Sequence, residues 1–393
     1  MGEKLSYKIR KVFEDHIPTL LNEKTLLSES GSVNNESKKQ LEKSIEVIAL
    51  KLRYTNMREL NKMDSVLSNE LLDIVKEKYS SNGNITVEMQ RKEEEIELQV
   101  DILKKAIELK KDYQKKYAHP VERNIIEHGL FESSLPTNST MARLRTPEGI
   151  IERHKNGFRR LYYRNDNGNY LSVFDSRALI GMMKIWKDKG ENKVFEFDFK
   201  ELLNAIEVEL DGANYRMIAN SLDNLARTQI IMEEYLDPRT QKRTKTKIHH
   251  PIPNAEIDRI NNRAKVEFNS ILQDSLKAGN YINISMSLFN DLANDTSKNL
   301  YMFIINYIQT KRDVEGERVL DIEPLIEQLG IHASTKTKKV NLIKDALEEL
   351  KSYEILKTGE VVKVGRFYKY VRFEESPFLR TPNVIIGGNQ LFI

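Results

Sequence analysis

The chain has no cysteine, which excludes a disulfide framework and thiolate-held metal sites. No apolar run approaches the ~20 residues of a membrane-spanning helix. The segment from Met1 to Arg10 lacks the apolar core of a signal peptide, so a cytoplasmic protein with no membrane partner is expected. An excess of one charge is missing too. The 62 Lys and Arg stand against 59 Asp and Glu, a net charge of +3, so any polyanion affinity has to come from local clustering. No G-x-x-x-x-G-K-[ST] loop occurs, which argues against a P-loop ATPase. His249-His250 has no intervening residue, and adjacent residues on a strand face opposite sides, so the pair cannot converge on one metal. The 16 tyrosines come without a clustered Arg/His constellation that would activate one as a nucleophile. The expectation is a binding protein with no cofactor and no metal, not an enzyme.

What is present is enough chain for two or three domains: 393 residues, 39% of them apolar and 31% charged. Residues 1–118 are nearly free of Gly and Pro and read as helical, with polar loops at 28–37 and 80–84. Between Met89 and Tyr117, Ile96, Val100, Leu103 and Ile107 recur at steps of three and four, one apolar stripe on a helix otherwise coated with Lys and Glu. A small helical bundle and a dimerisation or partner-binding helix both fit that stripe.

After a loop carrying Pro120, Pro136 and Pro147 the texture changes. Phe158 to Val173 reads as a hairpin turning at Asn165-Asp166-Asn167-Gly168, and Asp175 or Ser176 is expected to cap the next helix, with Leu179, Met182, Met183 and Trp186 inward. Val194-Phe195-Glu196-Phe197 alternates as a strand. Helices over Phe199–Val208 and Ala213–Thr228 and a hairpin from Ile230 to His249 follow. Helix, short strand, helix, turn, helix, hairpin is the plan of a winged helix. The order recurs from Tyr281 to Phe373, ending in a long helix over Thr335–Ser352 and a hairpin turning near Gly365. The fold expected is mostly α with small β-hairpins (α+β): tandem winged helices preceded by a helical region. The domains are 1–118, for dimerisation or partner binding; 119–252, the first winged helix with its leading loop; 253–280, a connecting helix over Ile257–Leu276; and 281–393, the second winged helix and tail.

The candidate contacts follow. On the helix Ala213–Thr228, Ile218, Leu222 and Leu225 face inward and the opposite face carries Arg216, Asn220, Asp223 and Arg227, flanked by Asn224. Arg pairs bidentately with guanine and Asn with adenine in the major groove, although any amphipathic helix has a polar face. The hairpin after it, taken as the wing, carries Arg239, Lys242, Arg243, Lys245 and Lys247 with Thr240, Thr244 and Thr246 interleaved, a composition suited to phosphates. The later helix opens Thr335-Lys336-Thr337-Lys338-Lys339, continues through Asn341 and Lys344, and ends in the acids Asp345, Glu348 and Glu349. That polarity opposes the helix dipole, which favours acids first and cations last by roughly 0.3 to 1 kcal/mol each. Stability would not choose it; a groove that receives the helix by its N-terminal residues would. Val340, Ile343, Leu347 and Leu350 face inward, and the second wing adds Lys363, Arg366, Lys369 and Arg372 around Tyr368 and Tyr370.

The region from Phe158 to Glu374 resembles plasmid replication initiators with tandem winged helices, including the replication initiator A group. The resemblance is carried by Tyr170-Leu171-Ser172-Val173-Phe174-Asp175-Ser176-Arg177-Ala178-Leu179-Ile180, a basic hairpin, and a later helix opened by lysines. Residues 1–118 depart from the usual N-terminal part of that family. The resemblance implies sequence-specific binding of double-stranded DNA at repeated sites of a plasmid or phage origin, opening of the origin, recruitment of a host helicase or initiator, and a chain able to form a homodimer. A winged-helix transcriptional regulator or copy-control repressor is the alternative.

Overall fold

The computed structural model describes residues 6–29, 35–80, 86–134, 151–153, 161–166, 169–243, 245–310 and 316–380. Pro136, Pro147, Phe158, Asn167, Gly168, Thr244 and much of the two expected N-terminal loops lie outside them. The chain forms two compact units, Met1–Lys115 and Lys116–Ile393.

The first unit is a helical bundle of α1 (Tyr7–Glu29), α2 (Asn35–Ala49), α3 (Met57–Ser80) and α4 (Val87–Gln114). Ile9, Phe13, Ile17 and Leu20 recur at helical spacing along α1 and are buried with Leu52, Leu60 and the α4 stripe of Ile96, Val100 and Leu103. The stripe is thus covered from within its own unit. Thr86 caps α4 by accepting from the Met89 amide.

The second unit is α+β and holds both winged helices. It begins with β1 (His119–Glu122) and α5 (Arg123–His128), then β2 (Ile151–Arg153) and β3 (Leu161–Asn165). The first winged helix comprises α6 (Val173–Asp188), β4 (Val194–Asp198), α7 (Phe199–Ala205), α8 (Gly212–Ala226) and, after a basic hairpin of β5 (Thr228–Tyr235) and β6 (Lys245–His249), the strands β7 (Asn254–Asp258) and β8 (Arg263–Glu267). A short α9 (Ser270–Lys277) leads to β9 (Tyr281–Ile284). The second comprises α10 (Met286–Asp291), α11 (Asp295–Thr310), β10 (Arg318–Asp321), α12 (Ile322–Gln328), α13 (Lys336–Ser352), β11 (Leu356–Val364) and β12 (Phe367–Glu375). The two sheets have equivalent orders, β4-β8-β7 and β10-β12-β11, all antiparallel.

Four expectations need correction. Residues 253–280 do not form a connecting helix. Ala255, Ile257, Ala264 and Val266 alternate with exposed or half-buried polar neighbours, a period of two, and β8 pairs with both β4 and β7. Only Ser270–Lys277 is helical. Phe158 to Val173 does not close as a hairpin, because β3 pairs with β5 and β2, while Leu171 and Ser172 run into the start of α6. Ser172, not Asp175 or Ser176, caps α6; its hydroxyl accepts from the Asp175 amide while Asp175 accepts from the Ser172 amide, a reciprocal capping box. Finally, β5–β6 is not the wing. It belongs to a separate sheet of order β2-β3-β5-β6, and the hairpin equivalent to β11–β12 is β7–β8.

The two winged helices share a junction. β1 pairs with β9, and Val121, Ile126, Val173 and Ile180 lie in the same apolar cluster as Leu300, Leu325 and Val340. Gly129 closes α5 in the left-handed conformation (φ 63°) directly against Gln328, whose amide donates to the Ile126 carbonyl at 2.6 Å. Glu132 accepts from Tyr163 at 3.2 Å and meets His332 Nε2 at 2.7 Å.

Candidate nucleic-acid interface

Each winged helix brings one helix and one hairpin to a common outer surface. In the first, Asp211 caps α8 by accepting from the Asn214 amide, and Ile218, Leu222 and Leu225 pin the helix to the core. Arg216 and Asn220 are left exposed on the far side. The β7–β8 turn is built on Asp258, whose carboxylate accepts from the amides of Ile260 (3.0 Å) and Asn261 (2.9 Å) and from the Asn261 side chain (2.6 Å). Those bonds, led by the Asn261 amide, hold the Asp258 carboxyl below its ordinary range. From this turn Arg259 Nη1 reaches Asn220 Oδ1 at 3.1 Å, so the wing is tied to the face that would enter a groove. Arg263 stands exposed beside it.

In the second, Thr335 caps α13 by accepting from the Lys338 amide, and the first turn contains no acid. Val340, Ile343, Leu347 and Leu350 are buried, while Thr337, Lys338 and Asn341 are exposed and Lys339 is half-buried. Lys336 pairs with Glu323 on α12. Lys344 lies 4.7 Å from the centroid of the Tyr368 ring, and Lys363 approaches the same ring at 4.6 Å. The Lys344 ammonium, which donates to the phenol oxygen at 3.5 Å, and then Lys363 draw the Tyr368 hydroxyl below its usual range. Lys369 lies over Tyr370 at 5.2 Å. Arg366 is exposed at the turn and makes no ion pair among the described residues, whereas Arg372 pairs with Glu317 and Glu360. The wing is anchored at its base by Arg318 and Glu375, a buried pair with two contacts of 3.0 Å.

The other candidates are placed differently. Asn224 turns inward, donating to the Tyr170 carbonyl and to Asp175, both at 3.2 Å, and receiving Asn165. Arg227 is engaged by Asp223 at 2.9 Å. In the β5–β6 hairpin, Arg243 meets Glu127 at 2.6 Å, Lys245 meets Asp237 at 2.8 Å, and Arg239 approaches Asp274 at 3.6 Å. Lys247 lies 5.8 Å from the Tyr235 ring, and Lys242 is exposed. Much of that hairpin's charge is matched within the fold. His249 is pushed down to about 4 by burial, and no cluster of three metal-ligating side chains exists among the described residues. Sequence reasoning missed Arg259 and Arg263. The signal available was the Asp258-to-Asn262 turn between two weakly alternating runs.

Residues 171–305 match the model of a family described as initiator replication protein, WH1. The match runs from the residue before the Ser172 cap through the β7–β8 wing to α11, and so takes in the whole of the first winged helix. No curated protein matches the chain. Among solved structures, domains 2 and 3 of RctB align with TM-score 0.42 at 12% identity, covering 64% of this chain and 98% of that one. The Pi initiator protein in complex with iteron DNA aligns with TM-score 0.40 at 13% identity, covering 51% of this chain and 89% of that one.

Proposed function

We propose that this chain, with an initiator WH1 domain at residues 171–305, starts replication at an origin by binding double-stranded DNA through both of its winged helices. The observation that carries the reading is the repeated arrangement: two helices, each with a cationic or amide-bearing outer face, and each with a hairpin secured beside it through Arg259–Asn220 or Tyr368–Lys344. Helix N-terminal side chains enter the major groove and flanking cations meet phosphates. In this reading Arg216, Asn220, Lys338 and Asn341 read bases. Arg259, Arg263, Lys363, Arg366 and Lys369 hold the backbone, with Lys242 and Lys247 as outlying phosphate contacts. Two such modules on one chain suit repeated origin sites, from which an adjacent AT-rich tract is opened and a host helicase recruited.

Footprinting of the purified chain on the DNA flanking its own gene tests this. Protection of direct repeats about two helical turns long, with grooves ~10 base pairs apart, is expected. Affinity should fall roughly 10³- to 10⁵-fold between about 50 and 200 mM salt if six to ten phosphates are neutralised. A lone protected palindrome would instead favour a transcriptional regulator, and a flat salt response would remove DNA binding altogether.

A further inference from the structure

Among the described residues of Lys116–Ile393, the two most exposed large apolar side chains sit at the two wing turns: Ile260, 90% exposed, and Phe367, 72% exposed. Single exposed apolar residues are ordinary on protein surfaces. Here the coincidence is positional, because Ile260 lies within the turn of one wing, Arg259 to Asn262, and Phe367 is the first residue after the turn of the other. Neither side chain is there by slack in the backbone. The Asp258 carboxylate ties down the first turn, with Asn262 at φ 54°. The second closes through Gly365 at φ 61°, in the left-handed region glycine favours, with Val364 paired opposite Phe367. Cations flank both: Arg259 and Arg263 around Ile260, and Lys363, Arg366 and Lys369 around Phe367.

An apolar tip ringed by cations suits a surface that is anionic at its edges and apolar within. The minor groove of DNA is such a surface, with phosphates along both rims, sugars and base edges between them, and apolar base faces that a step offers once it opens. Each wing is tied alongside its helix, by Arg259–Asn220 at 3.1 Å and by Lys344–Tyr368 at 3.5 Å. With the helix in the major groove, the hairpin therefore overlies the neighbouring backbone and the minor groove beyond it. Apolar side chains delivered there can enter a base step, partly unstack it and kink the duplex by roughly 20 to 90° toward the major groove.

We propose that Ile260 and Phe367 are wedges that enter base steps of the bound duplex from the minor groove, so that docking itself unstacks the DNA at two places. The inference rests on the DNA-binding reading above and adds how binding is coupled to opening. No bond is made or broken; unstacking is offset by the cation–phosphate contacts at the same turns.

The test uses the full chain on its footprinted site. Bending is read by end-to-end energy transfer and unstacking by 2-aminopurine fluorescence at successive steps; affinity and its salt dependence are measured alongside. Wild type should bend the site and brighten 2-aminopurine at two separated steps. Ile260→Ala/Phe367→Ala, which removes mostly exposed atoms and should melt close to wild type, should bind within about tenfold of wild type with the same salt slope. It should, however, lose both fluorescence signals and most of the bend. Phe367→Leu should keep them. Arg366→Ala should lower the salt slope by about 1 and keep both signals. If the double variant bends and unstacks as wild type does, or if wild type binds without unstacking, the wedge proposal is overturned while DNA binding stands. If wild type shows no salt-dependent binding, the parent reading falls and the wedge with it.

Discussion

Arg259 Nη1 lies 3.1 Å from Oδ1 of Asn220, joining the turn of the first wing to the outer face of α8. Both residues are exposed, so the contact adds little to stability, and its value lies in pre-setting one DNA-facing element against the other. Arg259→Ala should leave the melting temperature within a degree or so. It should weaken binding to specific sites by about 1 to 3 kcal/mol, as expected when a positioned contact and a phosphate contact are lost together. Equal weakening on unrelated DNA, measured by competition at one salt concentration, would reduce Arg259 to a phosphate contact alone.

Lys242 and Arg243 are neighbours with different surroundings. Arg243 pairs with Glu127, whose side chain is 8% exposed and also meets Arg123 at 3.5 Å, so removing the guanidinium takes the shorter of two ion pairs from a nearly buried carboxylate. Arg243→Ala should therefore cost about 1 to 3 kcal/mol of stability in urea unfolding. Lys242→Ala should be silent there and should lower the salt slope of DNA binding by at most ~1. Identical behaviour of the two variants would contradict this division.

Asn224 and Asn220 separate in the same way. The Asn224 amide bonds to Tyr170 and Asp175 in a network that includes Ser221. Asn224→Ala should destabilise by about 1 to 3 kcal/mol and leave the base preference of the surviving folded protein unchanged. Asn220→Ala should do the reverse, which a selection of bound sequences from a randomised site would show.

These contrasts mark where the sequence stopped being informative. The last helix and the hairpin of the second winged helix were readable, because each is one local period: Val340, Ile343, Leu347 and Leu350 on α13, then two nine-residue strands around Gly365; the short α10 was not. The first wing was not. The chain inserts β5–β6, a strongly alternating basic hairpin, at the place where a wing is expected. The true wing alternates on small or half-buried residues, Ala255, Ile257 and Ala264, and pairs with β4 some 65 residues earlier, as between Asp198 and Arg263. Pairing at that separation leaves no local trace. A helical wheel sets Asn224 beside the outer face, but it cannot show that the Tyr170 carbonyl lies within reach.

Burial pushes His119 down to about 4 from an ordinary value near 6.5. Its Nε2–H donates to the Ala205 carbonyl at 2.7 Å, and Nδ1 has no hydrogen-bond partner among the described residues, so the folded state holds the neutral ring. A depressed pKa of this kind gives stability that is complete above about 6.5 and is lost as the pH falls toward 4. Burial raises Glu122 on the same strand, which favours folding on the acid side and opposes the His119 effect. The comparison therefore has to be between chains. From about pH 7 to 5, His119→Gln, which keeps a donor for Ala205, should lose less stability than wild type. Parallel curves would remove His119 as a source of acid sensitivity.

The last expectation concerns whether the winged helices are separable. A cut near Pro253 would leave β4 without β8 and β7 and remove Ala264, Val266 and Phe268 from the first core. The junction is also shared, with β1 paired to β9 and α5 held against Gln328. Gly129 sits at its tightest point: a Cβ there would lie 2.2 Å from the Gln328 carbonyl oxygen, and φ is +63°. Gly129→Ala combines a left-handed backbone with a contact that the α12 terminus must yield to, at a cost of about 2 to 4 kcal/mol. The sole tryptophan, Trp186, is buried in the first winged helix and reports on that half. Amide exchange in α13 reports on the other. If the junction couples them, Gly129→Ala should shift the Trp186 unfolding midpoint and the α13 exchange together, in one transition. If the α13 amides lose protection while the Trp186 midpoint stays at its wild-type value, the two winged helices are independent folding units, and their joint action on DNA would come from tethering alone.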